Sequence, residues 1–193
     1  MSYGRMDSPQ RKAIEEVVRG ERVIDLGCGD GGWSEVLVIL GAECVIALDK
    51  RVMPDAGSRQ IQWIEQTFEE YEAIGGEVPK IAFISWPVNR VLPALLRMIE
   101  RAEVVIYLGK NTDGTACGSV PLFEHLSGRA LLKHFPKQAN TLTIYGGPVS
   151  KERMLTGEEI AARFFSYDKI IRFDEAEALA EKADVVTQLS WRG

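Results

Sequence analysis

Residues 23–32 read Val-Ile-Asp-Leu-Gly-Cys-Gly-Asp-Gly-Gly, a short apolar run that ends in an acid and then in a glycine-dense turn. Glycine has no Cβ atom, so it adopts positive φ and lets a small molecule lie against the main chain. The helix-like stretch Trp33 to Leu40 follows, and the first turn of a helix offers free N–H groups to a ligand. The pattern predicts a strand, a ligand-binding turn and a helix.

A second acid stands where a nucleoside site would place one. The apolar run Cys44 to Leu48 ends in Asp49, at the spacing from the glycine turn at which a carboxylate accepts hydrogen bonds from ribose hydroxyls. The glycines from Gly27 to Gly32 satisfy both G-x-G-x-x-G and G-x-G-x-G. Spacing alone therefore leaves two kinds of nucleoside cofactor open.

The charge of Asp25 distinguishes between these cofactors. A dinucleotide places its pyrophosphate at the helix N-terminus, where an acid just before the turn would repel it. S-adenosylmethionine (SAM) has no phosphate and carries a sulfonium and an ammonium, which a carboxylate attracts. Residues 23–31 resemble the first motif of class I SAM-dependent methyltransferases. The resemblance implies a methyltransferase whose cofactor, SAM, is held by residues of the first two strand ends: Asp25, Gly27, Cys28, Gly29, Gly31, Asp49 and Lys50.

The end of the third predicted strand also resembles the family. It reads Glu65-Gln66-Thr67-Phe68, and the corresponding turn of these methyltransferases contacts adenine. The resemblance implies that Gln66 or Thr67 binds the exocyclic amine and that Phe68 covers the ring face. A polar turn followed by a core aromatic residue would explain the same sequence.

The fourth predicted strand leads into residues 85–89, Ser-Trp-Pro-Val-Asn, where the family places the residues that hold the nucleophile beside the methyl group. The match is partial, because amine-modifying members often carry Asp or Asn, then Pro-Pro and an aromatic residue. Ser85, Trp86 and Asn89 are the predicted catalytic residues. A serine in the acidic position argues against a general base there, and Trp86 packing beneath the site is the alternative.

A polar, glycine-rich loop follows the fifth predicted strand. Lys110, Asn111 or Asp113 would recognise substrate there, although any surface turn uses the same residue types. Cys117 lacks a neighbouring histidine in the sequence and is not predicted to be a nucleophile. His125 and His134 fall on roughly opposite sides of one predicted helix, and residues 85–89 offer no carboxylate cluster. We therefore expect no metal.

Length and charge narrow the functional classes. The 193 residues suit a single methyltransferase-like domain over residues 1–193. The net charge of −5, with scattered Lys and Arg, gives no strong nucleic-acid signal.

Cys28, Cys44 and Cys117 show no C-x-x-C spacing and are expected to be reduced thiols. Without a membrane-length apolar run or a signal peptide, we expect a cytoplasmic protein without membrane contacts. The oligomeric state is not indicated.

The order of apolar and amphipathic stretches predicts the fold. Ser8 as N-cap and Pro9 in the first turn start a helix. Five apolar runs that suit the strands of a parallel sheet follow: Val23 to Leu26, Cys44 to Leu48, Ile61 to Ile64, Ile81 to Ile84 and Val104 to Leu108. Leu122 to His134 is predicted as a helix, Thr141 to Tyr145 as a strand and Gly157 to Phe165 as a helix. Val185 to Trp191 is the candidate for the antiparallel last strand. The expected fold is a doubly wound α/β fold with a mostly parallel, seven-stranded sheet and helices on both faces.

The sequence favours a SAM-dependent methyltransferase whose acceptor is a small molecule, since it has no appended recognition domain or basic tract. Two other functions stay open. A SAM-binding module without transferase activity would explain the partial match at Ser85. An NAD-dependent oxidoreductase would explain the glycine spacing.

Overall fold

The chain alternates strands with helices, and a computed structural model describes residues 6–52, 58–88, 92–110, 117–136 and 140–164. The helices are α1 (Ser8–Val18), α2 (Gly32–Ile39), α3 (Phe68–Ala73), α4 (Pro93–Arg101), α5 (Val120–Ser127) and α6 (Gly157–Phe164). The strands are β1 (Arg22–Leu26), β2 (Cys44–Asp49), β3 (Ile61–Glu65), β4 (Ile81–Ser85), β5 (Val104–Gly109), β6 (Ala130–Phe135) and β7 (Thr141–Gly146).

All seven strands form one sheet in the order β3-β2-β1-β4-β5-β7-β6. Strands β1 to β5 pair in parallel, and β7 inserts antiparallel between β5 and β6. The predicted fold class is confirmed, with Thr141–Gly146 as the antiparallel strand. The sequence predicted Thr141 to Tyr145 only as a strand, and its candidate for the antiparallel one, Val185 to Trp191, lies outside the described residues.

Helices cover both faces of the sheet. Val23 and Phe83 belong to a core shared with α1 and α2, whereas Ile24 and Ile84 belong to a core shared with α3, α4, α5 and α6. These four side chains are fully buried. Strands covered on both faces need apolar residues at successive positions, which explains the continuous apolar runs in the sequence.

Two sequence-based boundaries were wrong. The N-cap of α1 is Asp7 rather than Ser8, because its carboxylate accepts from the Gln10 N–H in a capping box. The predicted helix over Leu122 to His134 ends at Ser127, and Ala130–Phe135 forms β6. As the outer strand of the sheet, β6 is only partly covered, so its exposed positions broke the strand-like pattern. His125 and His134 therefore lie on different elements.

Arg129 fixes the position of α4 against the sheet. Its buried guanidinium donates to the carbonyl oxygens of Ile99 (2.6 Å) and Ala102 (3.0 Å) at the end of α4, and to that of Gly147 (2.8 Å) after β7. Carbonyl groups at the end of a helix lack a full set of intrahelical partners, and here that of Ile99 accepts from both Arg129 and the Ala102 N–H, the latter over 3.2 Å. Within the described residues, no helix is long and apolar enough to span a membrane.

Candidate functional site

A cavity of about 310 Å³ opens where β1, β2, β3 and β4 end. The strand order reverses between β1 and β4, and open parallel sheets bind ligands at such a switch point. The cavity is lined by residues from these four strand ends and from α3 and α4: Leu26, Gly27, Asp49, Lys50, Gln66, Thr67, Phe68, Glu69, Ser85, Trp86, Pro87, Val88, Leu92 and Leu95.

The glycine turn forms one wall of the cavity. Gly27 has φ +83° and donates its N–H to the Leu48 carbonyl over 2.8 Å, which anchors the turn to β2. Gly31 caps α2 with φ +80°, and a Cβ atom there would overlap the indole of Trp63. Both positions require the left-handed backbone region that favours glycine. Gly27 lines the cavity directly, whereas Gly29 and Gly31 do not line it.

Asp49 holds the glycine turn in place from the end of β2. Its Oδ2 accepts from the Gly29 N–H over 3.0 Å, and its Oδ1 accepts from the Arg51 N–H over 3.1 Å. An ionised carboxylate has about four acceptor positions, so two backbone bonds leave capacity for two more. Asp49 lines the cavity and can therefore bind hydroxyl groups of a ligand.

Asp25 lies beneath the turn and does not line the cavity. Its side chain is fully buried, and its Oδ2 accepts from the Ser34 hydroxyl over 2.6 Å. Its Oδ1 atom is buried and has no hydrogen-bond partner among the described residues. Burial raises the pKa of Asp25 to about 7, and the nearby Asp49 carboxylate adds to the rise while the Ser34 bond opposes it. Asp25 therefore gains or loses its proton near neutral pH, and a nearby cation would favour its ionised form.

Cys28 is also buried under the turn and does not line the cavity. Burial raises the pKa of its thiol, and the carboxylates of Asp25 and Asp49 raise it further. The thiol is therefore neutral at physiological pH and acts as a small apolar side chain in the core.

The turn after β3 supplies a polar group and an aromatic ring. Gln66 lines the cavity, and its buried Oε1 atom has no hydrogen-bond partner in the described part of the chain. The Thr67 hydroxyl is used as the N-cap of α3, where it accepts from the Glu70 N–H over 3.2 Å. Phe68 follows in the first turn of α3, and its ring lies 3.9 Å from where a Cβ of Gly27 would stand. Gln66 is thus the better acceptor for an amine.

Ser85 and Trp86 line the opposite side of the cavity, at the end of β4. Trp86 has φ +47°, which is unusual for a residue with a Cβ, and its N–H donates to the Leu108 carbonyl over 2.8 Å. Its indole Nε1 is buried, and no residue that the structure describes accepts a hydrogen bond from it. Strained backbone and unpaired buried donors concentrate at functional sites. Asn89 lies outside the described residues.

Three lining residues lie outside the motifs that the sequence indicated: Glu69 on α3 and Leu92 and Leu95 at the start of α4. The apolar spacing of α4 signals a buried face, but only the fold shows that this face reaches the cavity. Lys110 and Cys117, at the two ends of the polar loop, do not line the cavity. Asn111 and Asp113 lie outside the described residues.

The described residues contain no group of three or more His, Cys, Asp or Glu side chains that could hold a metal ion. The polar side chains that line the cavity are instead two carboxylates, one ammonium, one amide, two hydroxyls and an indole: Asp49, Glu69, Lys50, Gln66, Thr67, Ser85 and Trp86. This set suits an uncharged nucleoside better than a phosphate.

The sequence model of the FtsJ-like methyltransferase family matches residues 10–72, from α1 to α3. That range contains the glycine turn, Asp49, Gln66 and Phe68. A comparison with curated proteins finds no match.

Solved methyltransferase structures share the fold. A proposed RNA methyltransferase from Pyrococcus horikoshii is 15% identical with a TM-score of 0.57, over 74% of this chain and 83% of its own. The 1,6-didemethyltoxoflavin-N1-methyltransferase of Burkholderia thailandensis, solved with bound 1,6-didemethyltoxoflavin and S-adenosylhomocysteine (SAH), is 14% identical with a TM-score of 0.53, over 74% of this chain and 80% of its own. A proposed methyltransferase from Streptococcus mutans in complex with SAH is 14% identical with a TM-score of 0.50, over 75% and 98%.

The sheet order and the cavity at its switch point define the class I methyltransferase fold. The motif region is thus similar to the FtsJ-like methyltransferase family, and the fold is that of solved methyltransferases; both findings agree with the predicted class.

Proposed function

We propose that the cavity at the ends of β1 to β4 binds SAM and that methyl transfer takes place beside Ser85 and Trp86. The observation that carries this proposal is the convergence of Gly27, Asp49 and Gln66 on one cavity with these two residues. Each comes from a different strand end, so the fold brings together what the sequence separates. The resulting site is concave, largely apolar and equipped with a few polar groups, as ligand sites usually are.

The adenosine half of the cofactor fits the residues at β2 and β3. The unpaired Oε1 of Gln66 accepts from an exocyclic amine, which removes the cost of leaving that buried oxygen without a partner. Phe68 offers its ring to the face of the base. The Asp49 carboxylate, which keeps capacity beyond its two backbone bonds, accepts from the ribose hydroxyls.

SAM supplies a methyl group on a sulfonium, which is already activated for displacement. The remaining task of the protein is to position the acceptor and to exclude water. Trp86, Pro87 and Leu95 provide an apolar wall at that end of the cavity. The Ser85 hydroxyl and the Trp86 indole N–H offer hydrogen bonds that orient the acceptor.

We propose a small molecule as the acceptor. Lys50 is the only cation among the lining residues in the described part of the chain, and Asp49 and Glu69 add negative charge. A site that binds a nucleic-acid backbone would require several cations near its mouth. The net charge of −5 also disfavours a nucleic-acid acceptor.

RNA is the second candidate acceptor, since one similar structure is described as a proposed RNA methyltransferase. Incubation of the protein with SAM labelled in its methyl group, and with the small-molecule and RNA fractions of a cell extract, separates the two. Label in the small-molecule fraction supports the proposal. Label in RNA assigns the other acceptor, and no label in either fraction despite SAM binding favours a binding module. The Asp49→Ala variant serves as the control without competent cofactor binding.

A further inference from the structure

Strand β6 is the outer strand of the sheet and leaves two large apolar side chains exposed. Leu131 is 62% exposed and Leu132 is 54% exposed. Among the described strands, β6 pairs only with β7, and the register shifts between Leu131 and Lys133. An outer strand with exposed apolar residues is a template for a further strand.

The other outer strand differs in character. On β3, the exposed positions are Gln62 and Glu65, whereas Ile61 is buried and Trp63 packs against the core. Polar and charged side chains protect such an edge from pairing. Strand β6 also carries Lys133 and His134, but it exposes two large leucines, which β3 does not, and this difference singles out its edge.

A segment of the same chain has the pattern of a half-buried strand. Val185, Thr187, Leu189 and Trp191 alternate with Val186, Gln188 and Ser190, so the first set would fall on one face of a strand. Residues 165–193 follow α6, outside the described residues. The pattern provides an apolar face for the exposed leucines of β6.

The position of α6 allows residues 185–191 to reach the edge of β6. Ile160 of α6 is buried in the core that includes Leu126 of α5. The Leu155 N–H donates to the Ser127 hydroxyl over 2.9 Å, next to the start of β6. Residues 165–184 span up to roughly 66 Å when extended at about 3.3 Å per residue, far more than the roughly 20 Å length of a six-residue strand.

We infer that residues 185–191 pair with β6 as an eighth strand that covers Leu131 and Leu132. Its backbone groups hydrogen-bond to the outer edge of β6. Its apolar side chains remove the leucines from water. The inference is independent of the methyl-transfer site.

Amide hydrogen exchange of the full chain, measured residue by residue by NMR, tests this inference. We expect every amide of β6 to be protected in the wild type, including those directed away from β7. Leu189→Lys should abolish protection of these outer amides while those directed to β7 stay protected. Gln188→Lys, on the opposite face of the segment, should leave both sets protected.

Three results would overturn the inference: fast exchange of the outer β6 amides in the wild type, retention of their protection in both Leu189→Lys and Thr187→Lys, or protection that depends on protein concentration. The last would assign the edge to a second copy of the chain. Protection of β1 amides checks that each variant is folded.

Discussion

The Oδ2 atom of Asp49 lies 3.0 Å from the backbone nitrogen of Gly29, so the acid at the end of β2 holds the glycine turn that follows β1. One side chain therefore joins two parts of the proposed cofactor site. We expect Asp49→Ala to weaken SAH binding roughly a hundredfold, because charge-assisted bonds worth about 1.5–3 kcal/mol each are lost and each 1.4 kcal/mol is about tenfold.

The matched control is Glu65→Ala. Glu65 pairs with Asp49 in register at the end of β3 but does not line the cavity. Isothermal titration of SAH into both variants makes the comparison. Equal affinities for the two variants, both folded, would mean that Asp49 does not hold the cofactor.

The close approach of Trp63 to Gly31 predicts a difference in stability between two glycine variants. Gly31 and Gly20 have similar φ values, +80° and +73°, so an alanine costs about 1–2 kcal/mol of backbone strain at either site. A Cβ at Gly31 meets the Trp63 indole, whereas nothing lies within 4 Å of one at Gly20. The free energy of unfolding of Gly31→Ala should therefore fall by a further amount of about 1–3 kcal/mol, because the added methyl group overpacks the site.

Urea unfolding monitored by circular dichroism measures this difference. We expect the midpoint of Gly31→Ala to be clearly below that of Gly20→Ala. Equal midpoints would show that Trp63 moves aside at little cost.

The buried carboxyl of Asp25 predicts how pH affects the choice between SAM and SAH. Its pKa is raised to about 7, so it gains negative charge as pH rises through that value. The negative charge attracts the sulfonium of SAM, whereas SAH has no sulfonium. The preference for SAM over SAH should therefore increase between roughly pH 6 and pH 8.

Measuring both ligands cancels the titration of the amino group that they share. The Asp25→Asn variant, which cannot ionise, should show a preference that is flat over the same range. If the preference for SAM depends on pH in the same way in wild type and variant, the Asp25 carboxylate does not interact with the sulfonium.

The end of β4 predicts a separation of binding from turnover. Ser85→Ala and Trp86→Phe should leave SAH affinity nearly unchanged, since these side chains follow β4, which β1 separates from the strands that carry Asp49 and Gln66. Turnover should fall, because misplacing the acceptor by about 1 Å costs on the order of a hundredfold. Asn89→Ala, from the same predicted motif, should behave alike.

Single-turnover assays with the acceptor found by the labelling experiment provide the measurement. Trp86→Phe retains a ring and removes the indole N–H, so it tests that hydrogen bond directly. Full turnover in all three variants would show that the acceptor does not bind at the end of β4, and the loop between Lys110 and Cys117 would become the better candidate.

The centre of the sheet could be predicted from the sequence because β1, β2, β4 and β5 are covered on both faces and must be apolar throughout. The outer strand β6 could not, since exposed positions such as His134 interrupt its pattern. The glycine turn and Asp49 were visible as a motif. The contribution of Leu92 and Leu95, and the burial of Asp25 beneath the turn, depend on tertiary packing that no local pattern encodes.

Calorimetric titration of SAH into the full chain tests the central claim most directly, that the cavity at the ends of β1 to β4 holds the cofactor. We predict saturable binding of one SAH per chain, with a rise in thermal stability of about 2.7 kcal/mol at a hundred times the dissociation constant. NAD should give neither effect. The absence of heat and of any thermal shift with millimolar SAH and folded protein, or binding of NAD alone, would contradict it.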